Sequence, residues 1–330
     1  MTATVNENRS FVSDLNKIFA LFTVIKLLVS VAVKYWHFPV RVFFFLIGMK
    51  DSEKAMALLS SNAEPSGLLI NISLYVAAVA VPTALFFALN KGYERTDHKY
   101  YTSFPSPLKI LCAVGTTFII SYAATFGLYA LFQLLLNALG YSFYPPLTEV
   151  PTSPDLIPLY VIYLCVIPAF SEEFLSRGLL MRSVKKMGNG FAIIITALFF
   201  MMMHDSVSNL SFSFFAGLCL TYFAIRFGSI WVAVIAHFCL NLNAAIIQFM
   251  EHGLETKEGL TVFAVYFLTV AIIALTFFLI FVFKFGFILP KENGDRPTVK
   301  KRLIFKCPFF YIFILIFSIS AVIDVISLFE

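Results

Sequence analysis

Long apolar runs broken by short polar clusters dominate the chain. A helix that crosses a bilayer needs about 20 mostly apolar residues. Runs of that kind bounded by charge or by Pro, Gly and Asn fall at 17–36, 67–89, 108–139, 156–181, 190–204, 208–226, 229–250, 260–284 and 308–328. The pattern predicts an all-α fold, a polytopic transmembrane bundle of eight or nine spans. The first run is interrupted by Lys17, Lys26 and Lys34 and followed by His37-Phe38-Pro39, so a helix lying in the interface competes with a span there. The stretch VRVFFFLIGM, 40–49, is too short to span and reads as interfacial or re-entrant. The fifth run is also short, which suits a helix enclosed by its neighbours. No cleavable leader is visible, and the first apolar run is expected to remain as an anchor.

Composition removes the alternatives. Of 330 residues, 60% are hydrophobic and only 13% charged, against roughly 25% in soluble domains. A water-soluble core could not hold 40 Phe, so lipid must solvate the chain. The net charge of +5 gives no reason to expect a nucleic-acid partner. Cys112, Cys165, Cys219, Cys239 and Cys307 show no paired spacing and read as small buried hydrophobes.

The remaining charge orients the spans. Arg9, Lys91, Arg95, Lys99, Arg182, Lys185, Lys186, Arg226 and the basic loop 291–306 all fall on one side of a nine-span arrangement. The other side has Arg41, Lys50, Lys54 and Lys257, and the loop 140–155 has neither Lys nor Arg. The basic side is therefore cytoplasmic. The spans are expected to group into three stretches: N-terminal spans and loops at 1–107, a membrane core at 108–250 and C-terminal spans at 251–330. The expected location is a multi-pass protein of the cell membrane.

Ionisable groups inside spans are costly and therefore informative. They are Glu172, Glu173 and Arg177 in PAFSEEFLSRGLL, His204 in FFMMMHDS, and His237 with Asn241 in VIAHFCLNLN. Lys26 is expected to snorkel to one edge and Asp324 to reach the interface. Glu173 and Arg177 lie one helical turn apart and should pair, which points Glu172 about 100° away without a local partner. His237 and Asn241 share a face, as do Phe200 and His204. With about 1.5 Å of rise per residue from the cytoplasmic ends, His237 lies about 12 Å deep, Glu172 about 15 Å, Asn241 about 18 Å and His204 about 21 Å. One slab of the membrane holds all four.

Peptide hydrolysis needs a base for water and donors for the oxyanion. Glu172 with His204 suits the first task, and His237 with Asn241 the second. A zinc site of Glu172, His204 and His237 can be drawn from the same residues. The set would also serve a proton-coupled transporter, or a non-proteolytic immunity or scaffold protein.

SEEFLSR fits EExxxR, FMMMH fits FxxxH and HFCLN fits HxxxN, in that order on successive apolar helices. Together they resemble the CAAX protease and bacteriocin-processing (CPBP) family of intramembrane endopeptidases, over roughly 155–250. The resemblance implies that Glu172 and His204 activate water, that His237 and Asn241 stabilise the oxyanion, and that Glu173 and Arg177 support the structure. It implies a membrane-anchored peptide or protein as substrate, prenylated or not. Family members have been regarded both as metalloproteases and as glutamate proteases without metal. Asn is a poor zinc ligand, which favours the version without a cofactor.

Overall fold

The computed structural model describes residues 2–35, 63–90, 98–138, 149–204, 206–288 and 299–327, with positions 46, 61 and 140. The expected segment 40–49 lies outside these, apart from Leu46. The described residues form helices and no strands. We number them α1 (Thr2–Tyr35), α2 (Pro65–Leu89), α3 (His98–Thr102), α4 (Pro107–Ala138), α5 (Pro154–Met187), α6 (Asn189–Met203), α7 (Leu210–Phe227), α8 (Ile230–Glu251), α9 (Lys257–Lys284) and α10 (Pro308–Ser327). Seven are long and apolar enough to cross a membrane: α2, α4, α5, α7 with its leading turn, α8, α9 and α10. The protein is an integral, multi-pass helical bundle. Lipid-facing positions such as Leu134, Phe283 and Leu315 are exposed, as a bilayer solvent requires.

α1 packs into the bundle. Phe19 stacks on Phe199 of α6 at 4.8 Å between centroids, and Phe22 meets the same ring edge-on. Phe313 of α10 stacks on the other side of Phe199 at 4.6 Å. The first and last helices therefore lie against α6 and against each other, where Phe309 N donates to Asn16 Oδ1.

The two ends of the molecule separate as the charge bias requires. At one end Val299 N donates to Lys186 O, the Lys186 ammonium sits over the Phe11 ring, and Trp231 Nε1 donates to Tyr101 O. That end gathers the Lys/Arg-rich loops. At the other, Ser61 Oγ donates to Glu149 Oε2, and Tyr160 Oη donates to Gln248 Oε1.

α5 is irregular for readable reasons. Ile162–Val166 and Phe174–Met181 wind as π-helix, a form that leaves carbonyls without their usual donors. Pro168 adds to this, since its missing N–H strands the carbonyl four residues back, that of Leu164.

Close crossings fix the helices around the site. A Cβ on Gly217 of α7 would come within 3.1 Å of Ala197 Cα on α6. α7 ends at Gly228 in the left-handed region, φ +64°, and Ser229 then caps α8 by accepting from Trp231 N.

Candidate active site

The sequence placed the Glu173–Arg177 pair on one face of α5, and it is there. Arg177 Nη1 donates to Glu173 Oε1 at 2.6 Å with both side chains fully buried. The rest of the guanidinium is satisfied from α7, with Nε donating to Thr221 Oγ1 and Nη2 to Gly217 O. Its plane lies over the Phe200 ring, 4.4 Å from the centroid.

Glu173 does more than neutralise Arg177. His237 Nδ1 donates to the same oxygen, Oε1, at 2.9 Å. A carboxylate between two donors fixes the imidazole and leaves Nε2 as its other functional atom. Phe200 stands edge-on to both His237, at 5.5 Å, and His204, at 5.1 Å. One ring thus spaces the two histidines.

His204 is the residue at which α6 stops, in extended conformation. Its Nδ1 lies 2.9 Å from Phe200 O, and because a carbonyl only accepts, Nδ1 is the donor there and Nε2 is left as the ring's other functional atom.

Glu172 does face away from the Glu173–Arg177 pair. It nevertheless has a partner, from a helix outside every motif: Tyr75 Oη of α2 donates to Glu172 Oε1 at 2.8 Å. Its Oε2 is buried and finds no hydrogen-bond partner among the described residues. Periodicity within α5 carries no information about which helix packs opposite it, so Tyr75 was not foreseen. Asn241 Nδ2 donates to Leu164 O at 2.8 Å, meeting the carbonyl that Pro168 strands and using one of its two N–H groups.

Among the described residues no group of three or more His, Cys, Asp or Glu side chains stands close enough to hold a metal ion, and this includes the zinc set of Glu172, His204 and His237. One expectation about a charged residue fails. Lys26 does not snorkel, because its side chain is fully buried and Nζ donates to Met203 O and His204 O. Asp324 is half-buried, and its Oδ2 accepts from Val207 N at 2.8 Å, at the start of the span that leads into α7.

Beside Glu172 a cavity of about 900 Å³ opens between α2 and α5. Its walls include Tyr75, Val79, Phe87, Phe170 and Phe174, with Arg182 at the basic end. The lining is mostly apolar, and the cavity reaches the site at Tyr75.

The helices that carry Glu172, His204, His237 and Asn241 fall in one segment, which can be compared with known families. Residues 154–243 match the family model Type II CAAX prenyl endopeptidase Rce1-like. This agrees with the CPBP resemblance of the three motifs, each of which lies inside the Rce1-like segment. Searches of curated proteins and of solved structures gave no match. α1, α2 and α10, which supply Lys26, Tyr75 and Asp324, stand outside the Rce1-like segment.

Proposed function

We propose that this protein is an intramembrane endopeptidase of the cell membrane that hydrolyses a peptide bond in a membrane-associated protein or peptide. One observation carries the reading most: Glu172 is held by Tyr75 through Oε1 alone, with Oε2 buried and unpaired among the described residues. In this reading Oε2 removes a proton from water while His204 Nε2 accepts the water's second hydrogen bond. The water oxygen bonds to the scissile carbonyl carbon. As the C–N bond breaks, Glu172 returns the proton to the departing nitrogen, leaving a carboxyl terminus and an amine.

His237 and Asn241 receive the oxyanion. With Nδ1–H engaged by Glu173, His237 can donate from Nε2 only as the imidazolium. Asn241 supplies its second N–H from the same helix face. The apolar cavity at Tyr75 fits a substrate with a lipid chain, in keeping with the prenyl substrates named for the matching family.

The test incubates the purified full chain in detergent with membrane-anchored peptides, prenylated and unprenylated. Glu172→Gln and His204→Gln are each expected to lower kcat by at least about 100-fold. Equal cleavage by both variants overturns the assignment. Activity is expected to survive chelation, and a loss restored by zinc overturns the metal-free version.

A further inference from the structure

α6 is too short for the membrane it sits in. Its 15 residues rise about 22 Å at 1.5 Å each, against a hydrocarbon core of about 30 Å. Measured from the basic end, it stops about 8 Å short of that thickness, at His204. The last carbonyls of a helix have no donors of their own, and lipid offers none.

Two side chains from the ends of the sequence meet this need. Lys26 of α1 donates to Met203 O at 3.3 Å and to His204 O at 3.2 Å. Asp324 of α10 accepts from Val207 N, at the first turn of the helix that follows. Ser206, which precedes that turn, makes no capping bond, and its Oγ pairs with Ser208 Oγ instead. The charges suit their places, since a helix C-terminus favours a cation and an N-terminus an anion.

Resting on the catalytic role proposed above for His204, we propose that Lys26 and Asp324 are positioning residues that clamp the backbone on either side of His204 and so aim its imidazole. The ring is fixed through Nδ1 to Phe200 O, and Lys26 fixes the carbonyl of the same residue. A buried methionine would fill the space of Lys26. It would make neither bond.

The experiment uses the full chain in detergent, with Lys26→Met, Asp324→Ala and the acceptor-preserving Asp324→Asn. Diethyl pyrocarbonate modification of His204 is measured by peptide mass spectrometry relative to His252 in the same sample. The ratio is expected to rise at least about threefold in Lys26→Met and Asp324→Ala through local opening, and to return towards wild type in Asp324→Asn. On a cleavable peptide, kcat is expected to fall about tenfold or more in the first two variants with KM within about twofold. An unchanged ratio in both overturns the proposal. So does a rise in which His204 and His252 accelerate together, because that reports general loosening. A wild type that cuts no peptide while the ratio still moves would refute the endopeptidase reading and leave the clamp standing.

Discussion

Glu173 Oε1 accepts from Arg177 and from His237, so a single oxygen joins an ion pair to an imidazole. Glu173→Gln keeps the shape and removes the charge, which leaves the fully buried Arg177 without its counter-ion. Breaking a buried pair on one side costs about 3–5 kcal/mol. We expect a clear fall in the thermal midpoint in detergent as well as loss of cleavage. Tyr75→Phe is the gentler change, removing only the donor to Glu172 Oε1. A hydrogen bond to a charged group is worth about 1.5–3 kcal/mol of stability, so the thermal midpoint should fall by less than in Glu173→Gln while kcat drops about tenfold or more. These residues also show what a sequence can disclose. Glu173–Arg177 and Phe200–His204 follow from one helical turn of spacing. Tyr75, Lys26 and Asp324 act across helices, and periodicity says nothing of interhelical register. Pro168 is an intermediate case: its missing N–H marks Leu164 O as a stranded acceptor, but the choice of Asn241 to fill it needs the packing.

At the scale of elements, close crossings and irregular turns place these groups. A Cβ on Gly115 of α4 would lie 2.7 Å from Ala274 O and 2.8 Å from Phe277 Cβ on α9, while one on Gly127 of the same helix meets nothing within 4 Å. Gly115→Ala should therefore destabilise by about 1–3 kcal/mol. Gly127→Ala should stabilise by up to about 1 kcal/mol through helix propensity. Thermal unfolding of the two single variants in the same detergent separates these outcomes. The shortness of α6 was legible in the sequence, and so was its enclosure. The place of α1 was not, because its lysines read equally well as the polar edge of an interfacial helix. Lys26 was buried by the stranded carbonyls of another helix, a demand that α1 itself does not display.

For the whole molecule, the Lys/Arg bias and the packing give the same two-ended arrangement by separate routes. Cysteine labelling in intact cells tests it. Glu255→Cys, in the exposed turn between α8 and α9, should react with an impermeant maleimide added outside. Arg302→Cys, exposed at the basic end, should react only after the membrane is opened. The reverse pattern would invert the topology. Four of the five native cysteines are buried and Cys239 is partly so, which keeps the background low.

The contact of α1 with α10 also sets an order in time. Translation delivers the Rce1-like segment, with Glu172, His204, His237 and Asn241, before Pro308–Ser327 has been made. Until α10 inserts, Val207 N lacks Asp324 and Phe199 lacks the Phe313 side of its stack. The growing chain thus holds every motif residue while its histidine turn is still unfinished, and the later arrival of α10 completes it. A site assembled in that sequence stays incomplete through the insertion of every helix that carries its motifs.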